Sequence, residues 1–180
     1  PGLAQRKNNA RGRLTREDAY AYAKFARVAL GTNDIDFRAR AISAEETDFL
    51  AAHVVLNQSA SYADLEAASA VLLAGLEAED EAATIFLRLR NANRATGLKL
   101  YSVGPFTTPG VRRMGGILVP ATPGAEASVL EKLPSEVKLD SDSVILVGER
   151  LATVPGALSA AVALAERTGA KLAWVPRRAG

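Results

Sequence analysis

Residues 69–105 carry the pattern that most constrains this chain: an apolar run, a glycine, an amphipathic stretch and a second apolar run, in that order. Ala70-Val71-Leu72-Leu73-Ala74 reads as a strand, Gly75 as a turn, about 79–95 as a helix and 98–103 as the next strand. The spacing turns Ala82, Ile85, Phe86, Leu89 and Ala92 toward one side of that helix, and Gly97 ends it. Strand, helix and strand of this length form the crossover that joins two parallel strands, so a parallel sheet is implied. Such units often cup a dinucleotide at the carboxyl edge of the sheet, where the turn after the first strand offers free N–H groups to a pyrophosphate. Here Glu77, Glu79, Asp80 and Glu81 follow Gly75 directly. Each carboxylate at 4 Å from a phosphate costs about 1 kcal/mol in water and more where solvent is excluded. The acids at the front of the helix and Arg88, Arg90 and Arg94 toward its end instead suit the helix dipole.

The rest of the chain repeats the alternation. Thr15, with Asp18 three residues on, caps a helix over about 16–30, and Gly31 ends it. Ile35 and Phe37 alternate with Asp34, Asp36 and Arg38 as a short strand at a sheet edge or with one wet face, and Ser43 with Glu46 forms a capping box before the stripe Phe49, Leu50, His53 and Val54. Residues 57–61 make a polar break and 62–67 a helical turn. Further strands are expected near 117–119, 144–147 and 172–175, and helices near 124–133 and 155–168, the last opened by Thr153 or the following Val154-Pro155. Apolar runs without strict alternation belong to strands covered on both faces. The expected class is therefore α/β, a mostly parallel sheet with helices on both faces, Rossmann-like in its three layers. Residues 1–12 read as a basic flexible leader, 13–133 as the main α/β domain, and 134–180 as its continuation or a second small lobe, with a turn-prone stretch over 134–143. The start at Pro1-Gly2 and the stop at Arg177-Arg178-Ala179-Gly180 read as cuts from a longer polypeptide.

Composition closes several routes to function. Without cysteine the chain has no disulfide, no thiolate zinc or iron–sulfur ligand and no cysteine nucleophile of its own. His53 is the one histidine, too few for an imidazole metal pair, and its place on an apolar stripe reads as a buried or interfacial side chain. No apolar run approaches the roughly 20 residues that cross a bilayer, so no direct membrane insertion is expected. The net charge of +2 owes much to Arg6, Lys7, Arg11, Arg13 and Arg16, without the aromatic interleaving of a nucleic-acid surface. A solvated leader is the simpler reading, and no nucleic acid is expected as a partner.

The loops at the strand ends are chemically sparse. The turn after Ala74 lacks the Gly-x-Gly-x-x-Gly fingerprint, and no phosphate-binding Gly-x-x-x-x-Gly-Lys occurs. Residues 104–110 form a Gly/Pro-rich loop in which Thr107 and Thr108, followed by Arg112 and Arg113, offer hydroxyl and guanidinium groups to an anion, although a rigid surface loop with solvated arginines explains them as well. Ser59 and Ser61 lie in a polar loop without a nucleophile elbow, and Glu45, Glu46, Asp48, Asp140 and Asp142 have no spacing that separates them from solvated faces. No residue is nominated as catalytic, cofactor-binding or metal-ligating.

The run 13–38, from Arg13-Leu14-Thr15-Arg16-Glu17-Asp18-Ala19-Tyr20 to Gly31-Thr32-Asn33-Asp34-Ile35-Asp36-Phe37-Arg38, resembles the molybdopterin oxidoreductase superfamily. Together with Tyr62-Ala63-Asp64-Leu65-Glu66, Val71-Leu72-Leu73-Ala74-Gly75-Leu76-Glu77, Phe86-Leu87-Arg88-Leu89-Arg90 and Ala173-Trp174-Val175-Pro176, it is most similar to the large peripheral-arm subunits of bacterial NADH-quinone oxidoreductase, respiratory complex I, of actinobacterial type. The resemblance covers about 12–180, and the first eleven residues stand outside it. It implies a piece of a longer subunit whose 4Fe-4S and 2Fe-2S clusters relay electrons from NADH toward quinone. It also implies other peripheral-arm subunits as partners and a place on the cytoplasmic side of the cell membrane. In molybdenum-containing relatives the first turn usually runs Gly-x-Asn-Pro, and the second strand continues Asp-Pro-Arg to hold a guanine nucleotide. Here those positions read Leu76-Glu77-Ala78 and Gly104-Pro105-Phe106. The expectation is a molybdopterin-oxidoreductase-like scaffold without its pterin, non-catalytic in itself. The alternative is a working molybdopterin guanine dinucleotide domain with Thr107, Thr108, Arg112 and Arg113 on the phosphates, and a stand-alone hydrolase with an unrecognised site is the third reading.

Overall fold

A computed structural model of the chain describes residues 15–35, 42–55 and 60–176. The chain divides into two units, residues 1–42 and 43–180. In the first, α1 (Arg16–Val28) begins where the Asp18 N–H donates to Thr15 Oγ1 at 3.1 Å. It ends where the Ala29 and Leu30 N–H groups both donate to the Phe25 carbonyl and the chain reverses at Gly31, φ +64°. The short strand expected at Ile35 and Phe37 falls largely outside the described residues.

The second unit is built on five strands, β1 (Ala70–Ala74), β2 (Lys99–Gly104), β3 (Ile117–Pro120), β4 (Val144–Gly148) and β5 (Lys171–Val175), all parallel in the order β3-β2-β1-β4-β5. The α/β class read from the alternation is the fold observed. Strand β1 lies at the centre and is buried along its whole length. Its side chains alternate between two cores: Ala70, Leu72 and Ala74 join one, Val71 and Leu73 the other. On the first face lie α2 (Ala44–Phe49), α7 (Glu126–Glu131) and α8 (Ala157–Thr168), which supply Phe49, Leu130, Leu158, Ala161 and Leu164. On the second lie α3 (Tyr62–Ala67), α5 (Ala83–Thr96) and α6 (Pro109–Met114), with Leu65, Phe86, Leu89, Ala92 and Met114. Each buried leucine here contributes about 1.5–3 kcal/mol through removal from water, which is why these stripes set the helix orientations.

Three local structures depart from the sequence reading. The helix expected over 79–95 is two pieces, α4 (Ala78–Glu81) and α5, broken at Ala82 with φ −150° and ψ 66°. Burial of Leu76, Ala78 and Phe86 on either side of the break fixes two directions that one straight helix cannot satisfy. The acids therefore sit in α4, and the first turn of α5 has none. The loop read over 104–110 gives way at its end to α6, for which no helix was expected: the Val111 N–H donates to Thr108 Oγ1 at 3.1 Å, with Pro109 at the first helical position. Finally, α2 runs on into a π-helical turn (Leu50–Val55), and a 3₁₀ turn (Glu149–Thr153) precedes α8.

The amino ends of the strands are tied by short polar links. Ser69 Oγ donates to Asp140 Oδ1 at 2.6 Å, Ser143 Oγ donates to the same oxygen at 2.9 Å, and the Ser69 N–H donates to the Asp142 carbonyl at 3.2 Å. Ser61 and Asp64 form a capping box on α3, and Lys171 of β5 pairs with the Asp64 carboxylate.

Candidate functional site

In an open parallel sheet the ligand crevice lies outside the carboxyl ends of the strands, where the connections turn from one direction to the other. With the order β3-β2-β1-β4-β5 that point is between β1 and β4, flanked by the turns after Ala74 and after Gly148. Gly75 has φ +64°, and a Cβ placed on it would lie 2.5 Å from Leu151 N and 2.7 Å from Leu151 Cβ. A Cβ on Gly148 would overlap the Gly75 carbonyl oxygen and lie 2.9 Å from Leu76 Cα. The two turns thus pack backbone on backbone, and the backbone and Cβ of Leu151, a residue 1% exposed, lie directly against Gly75. In dinucleotide sites a glycine here lets the pyrophosphate approach the backbone. In this chain the same freedom admits the chain itself, and the residues present do not fit a nucleotide or pterin pyrophosphate at this point.

Two acids of the turn have cationic partners. Glu79 forms an ion pair with Arg113 of α6, and Glu81 Oε1 lies 3.1 Å from Arg150 Nε of the 3₁₀ turn. The Glu77 N–H donates to Glu81 Oε2 at 3.3 Å. Glu77 Oε1 is buried without a hydrogen-bond partner and rests on α6, in the space that a Cβ on Gly110 would need. Asp80 is exposed. Glu79 and Glu81 therefore act less as a bare negative rim than as struts joining α4 to α6 and to the turn after β4. The anion-binding set read from the sequence is partly spent on the same struts. Thr108 is committed as the cap of α6 and Arg113 to Glu79, while Arg112 is exposed and Thr107 half-buried.

The other sequence candidates fall into structural positions. Ser61 caps α3, and Ser59 lies outside the described residues. Glu46 is buried, with its N–H donating to Ser43 Oγ at 3.0 Å. Asp48 is exposed, and Asp140 and Asp142 belong to the links at the amino ends. Hydrogen bonds from Ser69 and then Ser143 hold the Asp140 carboxyl below its ordinary pKa, and the Lys171 ammonium followed by Ser61 does so for Asp64. His53 is half-buried, its ring centroid 5.6 Å from that of Phe49, which lies 5.7 Å from Trp174.

Glu45 has a role that sequence reasoning missed. Neither Thr153 nor Val154-Pro155 opens α8; its cap residue is Gly156, at φ +78° and without a side chain to offer. Glu45 supplies the cap from α2, accepting from the Gly156 N–H at 2.8 Å and from the Ser159 N–H and hydroxyl at 2.9 Å. Burial opposes its charge, yet the Ser159 and Gly156 N–H groups outweigh that and keep its pKa below the usual carboxylate value. No spacing rule reaches across more than a hundred residues. The one local hint is that Gly156 has no side chain to accept from the first turn of α8. Among the described residues no cluster of three or more His, Cys, Asp or Glu could hold a metal ion, and no helix is long and apolar enough to cross a membrane.

No protein-family model matches the chain. It is 57% identical over 174 residues to the G subunit of NADH-quinone oxidoreductase from Mycobacterium bovis and to that from Mycobacterium tuberculosis, covering 94% of this chain and 22% of each relative. It is 52% identical over 196 aligned positions to the Streptomyces coelicolor protein of the same name, covering 94% of this chain and 23% of that one. The chain thus spans roughly a fifth of the length of these relatives.

Proposed function

Because the chain belongs to the family of NADH-quinone oxidoreductase G subunits, we propose that it is a non-catalytic scaffold and interaction domain within the electron-input arm of that oxidoreductase. The parent protein would carry the 4Fe-4S and 2Fe-2S clusters that relay electrons from NADH toward quinone. The cluster ligands would lie elsewhere in that protein, since this stretch has no cysteine. Its partners would be other subunits of the peripheral arm, held on the cytoplasmic side of the membrane.

The observation that carries this reading is the closure of the crevice by Gly75, Gly148 and Leu151. A molybdopterin-oxidoreductase-like ancestor would bind its nucleotide there. Here backbone occupies that space, Thr108 caps α6, and Arg113 and Arg150 pair with Glu79 and Glu81. The relevant experiment titrates the full-length subunit with nucleoside diphosphates and a pterin dinucleotide and maps protection by amide hydrogen exchange, alongside molybdenum and tungsten analysis. The expected result is no protection at 75–81 or 104–113 and no stoichiometric metal of either kind. Saturable micromolar binding that protects those segments would overturn it.

A further inference from the structure

Helix α8 and α2 with its π-helical turn line a groove of about 580 Å³. Phe49, Val162 and Ala163 give it apolar surface. Glu45, Asp48 and Glu166 are its carboxylates, and no lysine or arginine lines it. Glu45 is already engaged at the start of α8. Asp48 on α2 and Glu166 on α8 are both exposed, one on each helix. The groove therefore presents an apolar strip with a carboxylate on either helix, and neither charge has an ion-pair partner among the described residues.

The shape and charge select an occupant. The lining residues run over 45–53 and 159–166, about two turns or roughly 12 Å of helix on each side. The space between two packed helices is where a third helix seats its ridge of side chains. Carboxylates beside an apolar strip repel anionic lipid headgroups, nucleic-acid backbones and phosphate ligands. They favour an apolar ridge edged with cations, because complementary charge around an apolar centre fixes register and rejects like-charged partners.

We propose that the groove between α2 and α8 docks a basic amphipathic helix of a neighbouring polypeptide, whose lysine or arginine side chains pair with Asp48 and Glu166. The proposal rests on the scaffold reading and assigns it a surface and a class of partner. The pairs form at the rim and set specificity, while Phe49, Val162 and Ala163 supply the desolvated centre.

The test places a diazirine-bearing leucine analogue at Ala163 in the full-length subunit, within the assembled complex, and identifies photo-cross-linked peptides by mass spectrometry. The expected product is one peptide with lysine or arginine flanking apolar residues at helical spacing. Its yield should fall about tenfold in the Asp48→Lys/Glu166→Lys variant, and also in wild type at 1 M salt, where the screening length is about 3 Å. A thermal melt of the variant checks that its fold persists, and Asp48→Asn/Glu166→Asn, which adds no charge, should lower the yield less. A cross-link to an acidic or uncharged peptide or to lipid, no cross-link, or an unchanged yield in the charge-reversed variant would overturn the proposal. None of these outcomes alters the nucleotide titration, so a failure of the groove and a failure of the scaffold reading are told apart.

Discussion

The crevice between β1 and β4 and the groove between α2 and α8 are both concave, yet one is filled by the chain and the other is not. In the crevice Gly75, Gly148 and Leu151 meet at distances that leave no space for a side chain, and the acids around it are braced by Arg113 and Arg150. In the groove Asp48 and Glu166 have no such partners among the described residues. At this sheet end the glycines serve the close approach of the chain's own backbone.

Substitutions in the crevice should break this contrast most strongly. Gly148→Ala sets a methyl against the Gly75 carbonyl, backbone against backbone, and should cost about 3 kcal/mol or more by urea denaturation. Wild-type stability in that variant would mean that the crevice is open. Leu151→Ala should cost about 2–5 kcal/mol through the cavity it leaves, and nucleotide titration of that variant should still show no binding, because the two glycine turns remain in contact.

Smaller effects are expected where the struts are electrostatic. Removal of the trans cap by Glu45→Ala should cost about 1 kcal/mol and raise amide exchange at Gly156 and Ser159. Because the folded pKa of Glu45 is depressed, its stabilisation is complete above its unfolded value near 4.5 and is lost as pH falls through the folded value. Asp64 and Asp140 follow the same sign, so wild type should lose stability steadily below about pH 4. A melt series from pH 6 to about pH 2 should show a shallower slope for Glu45→Ala. The smallest change is expected for Arg113→Ala, about 0.2–1 kcal/mol in thermal unfolding, since that pair is exposed on the arginine side. A loss of several kcal/mol there would mark the strut as part of the closure.

Much of this fold was legible in the residues. The apolar run at 70–74 between a helical turn and Gly75, and the repeats of that alternation at 99–104 and 144–148, allow little besides a parallel sheet. The helix α6 was announced by Thr108-Pro109, a cap followed by the residue best suited to the first helical position, although the surrounding glycines and prolines suggested a loop. The break at Ala82 left no such sign, because Ala78-Glu79-Asp80-Glu81-Ala82-Ala83 holds no glycine or proline and the packing of Leu76 and Phe86 divides it. The acids of that segment were visible as charges, but their arginine partners lie 34 and 69 positions along the chain and could not be matched by spacing.

The sequence by itself determined the class of fold, the missing cysteine ligands and the lack of a phosphate fingerprint, because periodicity and residue type act locally and need no partner. The three-dimensional packing alone brings the turns at Gly75 and Gly148 together against Leu151, sets Glu45 as the cap of a helix more than a hundred residues away, and places Asp48 and Glu166 along one groove. Those facts depend on which surfaces meet once the sheet has ordered its strands, and contacts between distant segments leave no period in the chain.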